Sequence, residues 1–281
     1  PLPRAKPYSG SVLVADLKSA GIVDYGSPKV GNDERVPEGL MPVWKDAVMC
    51  YARWPNDGFA AITNCTKETA KQRFGYVDAR IDRWVGEPEP CANGFFAYNW
   101  AADRIDVGSI DPANRTIGHG KCGSLYGYSD KGFWFGYNLF CELDVANEFY
   151  LDRKDGKLYF VPPDGDRDGV CEVTMSTGLV AIKGAKDLSF DGIVFENCRG
   201  TAMTADNCTN IVVSSCVFRN AGMLAVEAVR NEGFRLVNCD IRRCGRGGVK
   251  IDGGDADRLR PSGNLVENCV ISDYSLGQLA Y

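Results

Sequence analysis

The sequence predicts an all-β chain in which a β-sandwich-like first part is followed by a parallel β-solenoid. Three observations carry this reading. Apolar positions repeat every 23 residues after residue 180, composition changes near residue 161, and the segment before that change is a series of short alternating runs.

The repeat is the strongest of the three. Asp187 to Cys198, Asn210 to Ala221, Gly233 to Cys244 and Gly263 to Tyr274 superpose on Phe195, Phe218, Ile241 and Ile271, with steps of 23, 23 and 30. Apolar columns then emerge: Leu188, Ile211 and Phe234, broken by Asn264; Phe190, Val213, Leu236 and Val266; Ile193, Cys216, Cys239 and Cys269. A preceding strand in each turn adds Val180, Met203, Val226, Val249 and Ile182, Ala205, Ala228, Ile251. The period is too short for most two-helix repeats and lacks the L-x-x-L-x-L-x-x-N signature of leucine-rich repeats, so each unit must bury its apolar side by stacking on the next as strands. Residues at equivalent positions would then lie about 4.8 Å apart.

The first part reads differently. All five tryptophans and ten of the twelve tyrosines precede residue 161. Runs at Ser11 to Leu17, Ala47 to Ala52, Gly58 to Thr63, Arg104 to Val107 and Lys157 to Val161, punctuated by Gly, Pro, Asn and Asp, are the pattern of a sandwich. Pro162-Pro163-Asp164-Gly165-Asp166 reads as the connector.

Composition narrows the function classes. The 281 residues are 25% charged with a formal net charge of −5, which fits neither a disordered chain nor a basic nucleic-acid binder. No apolar run approaches the length of a membrane span, and the opening Pro1 to Lys6 has no signal-peptide core, so an export signal is expected to have been removed or left out. A single histidine, His119 in a Gly-flanked turn, excludes histidine-rich zinc sites, confines any Ser-His-Asp or Cys-His device to that one residue, and in an enzyme would leave proton transfer chiefly to carboxylates, Lys, Arg or Tyr. The twelve cysteines form no C-x-x-C pair, and the column Cys216, Cys239, Cys269 reads as buried thiol packing.

Candidate chemistry sits on the outward positions of the first solenoid strand. Because Val180, Ile182 and their equivalents point inward, the alternate residues form two outward columns: Ala181, Thr204, Glu227, Lys250 and Lys183, Asp206, Val229, Asp252. Asp206 and Asp252 would stand two turns apart, about 9.6 Å, at the upper edge of the window for an inverting glycosidase pair, with Glu227 between them. The fourth turn carries a seven-residue insertion within the loop Gly253 to Gly263, in which Asp255 and Asp257 follow Asp252 closely. These carboxylates could serve as acid and base or as oxygen ligands for Ca²⁺, although no EF-hand spacing is present; a salt-bridged turn with Arg258 and Arg260 is the plain alternative.

Four segments resemble a known family: Ala52-Arg53-Trp54-Pro55-Asn56-Asp57-Gly58; Glu142-Leu143-Asp144 through Glu148-Phe149-Tyr150-Leu151-Asp152-Arg153; Gly156 to Phe160 with Pro162-Pro163; and Gly253-Gly254-Asp255 through Pro261-Ser262-Gly263-Asn264. Together they look like bacterial right-handed parallel β-helix proteins of the pectate-lyase-like superfamily, and among these like glycan-active proteins, glycoside hydrolases included, that carry an inserted β-sandwich. The family's usual D-A-P-G-E-W-Y-L-D-R has become Asp144-Val145-Ala146-Asn147-Glu148-Phe149 before Tyr150, and Ala256 stands where Arg commonly follows G-G-D.

The resemblance implies a right-handed β-helix with a strand at 1–10 leading from the helix, the inserted domain at 11–163, and helix turns from 164 to 281 that continue beyond the chain. It also implies a secreted, periplasmic or cell-surface bacterial protein acting on a glycan or polysaccharide. A glycoside hydrolase would use Asp206, Glu227, Asp252 and Asp255 as catalytic carboxylates, with Lys183, Lys250 and Arg258 binding substrate and no cofactor. A polysaccharide lyase would instead use Lys183 or Lys250 as base with Ca²⁺ held by the Asp cluster. A third reading is a carbohydrate-binding or scaffold fragment, for which exposed, coplanar rings at Trp84, Trp100 or Trp134 would favour sugar binding and buried ones scaffold.

Overall fold

A computed structural model describes residues 6–28, 31, 33, 36–66, 69–163, 165, 167–277 and 279. The opening residues 1–5, the connector's Asp164 and Asp166, and Tyr281 lie outside the described residues. The chain divides into two compact units, one of residues 1–33, 41–173 and 279–281, the other of 34–40 and 174–278. Among the described residues no helix is long and apolar enough to cross a membrane.

The second unit is a solenoid of three parallel sheets, four strands each. The first sheet stacks Val180–Lys183, Met203–Asp206, Val226–Val229 and Val249–Ile251; the second, Lys186–Asp191, Thr209–Ser214, Arg235–Val237 and Leu265–Glu267; the third, Val194–Cys198, Val217–Ala221, Asp240–Cys244 and Val270–Ser272. Their register is the predicted one. Val180 pairs Met203, Phe190 pairs Val213, Phe195 pairs Phe218 and Ile241 pairs Ile271.

The chain bends at four columns of residues in the left-handed backbone region, some between strands and some within a strand end. Gly184, Asn207 and Arg230 form one; Asp187, Asn210, Gly233 and Gly263 the next; then Gly192, Ser215, Asn238 and Asn268; then Asn197, Asn220, Arg243 and Asp273, all with φ between 49 and 68°. Gly and Asn bear this conformation at least cost, which explains their enrichment. Asparagines also bond along the stack, Asn220 Nδ2 to Asn197 Oδ1 at 2.9 Å and Asn268 Nδ2 to Asn238 Oδ1 at 2.6 Å.

Burial follows stacking. Ile211, Phe218, Leu236 and Ile241, each with a turn on both sides, have no exposed surface, whereas Leu188, Val266 and Ile271 in the outer turns are 38 to 45% exposed. Cys216 and Cys239 are buried and Cys269 partly so; every cysteine is a free thiol, and burial raises the thiols of Cys198 and Cys239 to about 11 and that of Cys244 to about 12.

The first unit contains five-, seven- and three-stranded sheets, almost wholly antiparallel. The expected runs appear as Val12–Asp16, Ala60–Ala61, Asp103–Asp111 and Lys157–Phe160, while Ala47 to Ala52 breaks into Ala47–Val48 and Cys50–Tyr51. Trp44, Trp84 and Trp134 fill the interior. His119 ends the strand Thr116–His119 instead of occupying a turn, and its two ring nitrogens face the carbonyls of Gly120 and Lys71 at 3.0 and 3.2 Å, a packing role.

Segments 52–58 and 142–153 supply much of the polar scaffold of this unit. Glu142, fully buried, accepts from Trp84 Nε1 at 2.7 Å and Arg80 Nε at 2.7 Å and pairs with Arg83 at 2.9 Å. Arg53 lies 3.6 Å above the Phe135 ring and donates to Pro55 and Gly58 carbonyls. Asn147 has a left-handed backbone with φ of 73°.

Burial pushes the Glu148 carboxyl up to about 7, against the opposing pull of backbone N–H groups from Arg53, Asp144 and Val145. Below the unfolded value near 4.3 this group costs nothing, because both states are protonated; as pH rises toward 7 the unfolded chain ionises first and stability falls, then levels above the folded value. Glu148→Gln should therefore flatten the decline between pH 4.5 and 7.5 in urea midpoints; a parallel decline in both proteins would refute the assignment.

Phe218 stacks on Phe195 with centroids 4.7 Å apart and planes 16° from parallel. Phe218→Ala should lower unfolding free energy by about 3–5 kcal/mol in chemical denaturation, because the turns on either side cannot collapse into the space.

Candidate functional site

The first solenoid sheet presents the predicted outward columns in register. Lys183 pairs Asp206, Asp206 pairs Val229, Thr204 pairs Glu227, and Glu227 pairs Lys250. Asp252 follows the last strand, one position beyond Ile251, opposite Val229. Glu227 is thus diagonal to both Asp206 and Asp252, with backbone positions about 8 Å from each along the sheet.

Each carboxylate has a specific neighbour. Lys250 Nζ lies 3.0 Å from Glu227 Oε1, one strand spacing up the column. Asp206 pairs with the Arg230 guanidinium, and the Arg230 backbone N–H donates to Asp252 Oδ1 at 3.3 Å. Arg230 thus links the two aspartates, an arrangement the side-chain alternation did not anticipate because Arg230 occupies a left-handed corner and not a strand. Lys183 stands across from Asp206 in register and is exposed.

Asn231, fully buried beside that corner, is a further positioning residue absent from the sequence reading. Its Oδ1 accepts from the Cys208 N–H at 2.7 Å and its Nδ2 donates to the Ala205 carbonyl at 2.9 Å, while its own N–H reaches the Asp252 carbonyl at 3.3 Å. The available signal was a polar residue in a column whose lower members are Ala185 and Cys208.

The inserted loop is a closed turn. Asp255 and Arg260 exchange backbone hydrogen bonds at 2.9 Å in both directions. Gly253 has no room for a side chain, since a Cβ there would meet the Asn231 carbonyl oxygen at 2.1 Å. The Asp255 carboxylate accepts the Arg258 N–H at 3.1 Å and lies 3.6 Å from its guanidinium, so its partners belong to its own loop. Arg258 projects into solvent, and Arg260 pairs with Glu232 and not with an aspartate of the loop. Among the described residues no three Asp, Glu, His or Cys side chains gather as a group that could hold a metal ion.

Of the three tryptophans singled out above, Trp84 and Trp134 are buried and Trp100 is exposed.

Residues 177–279 match the family model of the right handed beta helix region. The solenoid is a right-handed parallel β-helix. No curated protein matches the chain. A solved structure named glycoside hydrolase aligns with 98% of this chain and 58% of its own length, at 13% identity and a TM-score of 0.74. The chain therefore spans less than two thirds of that structure, and the likeness is one of fold. The tailspike protein gp49 from Pseudomonas phage LKA1 aligns with 75% of this chain and 33% of its own at 11% identity, with a TM-score of 0.25.

The Glu227–Lys250 pair is half open to water, where such pairs contribute little. Lys250→Ala should change unfolding free energy by less than about 1 kcal/mol in urea titrations. A larger loss would show the pair to be a structural element of the β-helix.

Proposed function

We propose that the outward face of the first β-helix sheet is the active site of a glycoside hydrolase, acting on a glycan through paired carboxylates. The observation that carries the reading is the register: Asp206 and Glu227 stand on adjacent strands of one face and Asp252 directly follows the next strand, up to 46 positions apart in the chain. A parallel sheet offers this because its strands hold side chains in fixed rows, so carboxylates can be set at a separation that neither direct contact nor a flexible loop would keep.

Hydrolysis needs one carboxylic acid to protonate the leaving glycosidic oxygen and one carboxylate to draw a proton from the attacking water. Asp206 with Glu227, or Glu227 with Asp252, supplies such a pair on diagonal positions of the sheet. Lys250, Lys183 and Arg258 supply N–H donors for sugar hydroxyls, and Arg230 holds Asp206 and Asp252 in a common frame. Asp255 is the remaining carboxylate candidate, on the adjoining loop. The protein is proposed to be secreted or exposed at a bacterial cell surface, where polysaccharides are met, and to need no cofactor.

The glycoside hydrolase name of the structural neighbour agrees with this reading at the level of fold, which hosts many activities. For the lyase reading, Lys250 is engaged by Glu227, which leaves Lys183 as its other candidate base.

A glycan panel assayed for reducing-end release should reveal a responsive polysaccharide. On it Asp206→Asn, Glu227→Gln and Asp252→Asn should each lower kcat by a factor of about 100 or more where the residue is the acid or base. Wild-type turnover in these variants and in Asp255→Asn would remove the proposal, and an unsaturated, calcium-dependent product would replace it with elimination.

A further inference from the structure

The first unit carries an aromatic cluster that no core absorbs. Tyr98, Trp100 and Tyr126 are 51, 52 and 48% exposed, while Trp44, Trp84 and Trp134 are almost wholly buried. The Tyr98 and Trp100 rings lie within 15° of parallel with centroids 5.5 Å apart. Tyr126 meets both edge-on, at 5.4 and 5.3 Å.

The cluster is built on anchored backbone. Asp103, at the start of the strand Asp103–Asp111, accepts the Ser124 hydroxyl at 2.8 Å and the Leu125 N–H at 3.0 Å, fixing the turn that presents Tyr126. The Ala101 N–H reaches the Tyr98 carbonyl at 3.2 Å and closes the turn that carries Trp100. Immediately after Tyr126, Gly127 and Tyr128 enter the buried interior, and the Tyr128 N–H bonds the Ala70 carbonyl at 2.7 Å. The rings are therefore set in place before any ligand arrives, so little ordering free energy is lost on binding.

Aromatic rings left half in water by a rigid frame favour a ligand that is apolar on its face and polar at its rim. A pyranose ring has that form: its axial C–H groups can lie on an indole or phenol face, and its hydroxyls can reach the phenolic oxygens, the indole N–H and the exposed amide of Asn99. A protein partner would call for a broader apolar surface, and the neighbouring Asn99, Asp103 and Ser124 are polar, with Leu125 the exposed aliphatic exception.

We propose that Tyr98, Trp100 and Tyr126 form a carbohydrate-binding platform that holds a pyranose ring of a polysaccharide by stacking, without reacting with it. The proposal stands independently of hydrolysis by the β-helix face, because binding is read without turnover.

Native affinity electrophoresis of the whole chain through gels containing xylan, galactomannan, mixed-linkage β-glucan or polygalacturonate tests it. At least one polysaccharide should retard the protein, Trp100→Ala should weaken that retardation at least tenfold in apparent Kd, and Trp100→Phe should restore part of it. Thermal midpoints of the variants should match the parent, since the ring is not part of the core. No retardation in any of these gels, wild-type retardation of Trp100→Ala, or a concentration-dependent dimer abolished by Trp100→Ala in sedimentation would each overturn the proposal.

Discussion

Everything in the second unit depends on the hydrogen bonds between one turn and the next. A parallel strand satisfies its backbone groups only through its neighbours, so no turn of this β-helix is stable by itself and no turn can slip. A shift of one residue would send Val226 and Ala228 to solvent and Glu227 into the interior, burying a charge at large cost. The constraint that stacks Phe195 on Phe218 is thus the same one that holds Asp206, Glu227 and Lys250 in rows. Core and candidate site are two faces of one register.

Alternation was legible because it depends only on which side of a strand faces water, and the 23-residue spacing of Ile182, Ala205 and Ala228 declared that side without any knowledge of neighbours. The corners were less legible. Arg230 and Arg243 take the same left-handed conformation as Asn207 and Asn220, yet nothing in an arginine announces it; position in the repeat was the sole indication. The direction of the Arg230 side chain, and hence its pairing with Asp206, follows from that corner and could not be read from strand alternation.

In the first unit the limit was distance along the chain. Glu142 meets Trp84 and Arg80 across about 60 residues, and Arg53 meets Glu148 across 95, so motifs that read as separate segments are one network. The sequence pattern distinguished sheets from helices there but not which aromatics the sheets would cover. Trp84 and Trp100 both sit in stretches mixing aromatic and polar residues; one closes over Glu142 and the other is left on a turn pinned by the Ala101 N–H.

The charges on the β-helix face invite a purely structural account, in which Lys183, Asp206 and Arg230, and likewise Glu227 and Lys250, alternate in sign to avoid repulsion at strand spacing. That account explains the cations better than the carboxylates. Repulsion is avoided more simply by neutral residues, as Val229 shows within the same column, and half-exposed pairs return little stability for the side chains they order. Arg230 serves two aspartates at once, through its guanidinium to Asp206 and its backbone N–H to Asp252, and the corner that allows this is locked by a wholly buried Asn231. A solvated face has no need of such fixing. Carboxylates set in fixed rows are what the proposed reaction with two proton transfers requires, and this gives that proposal its physical content.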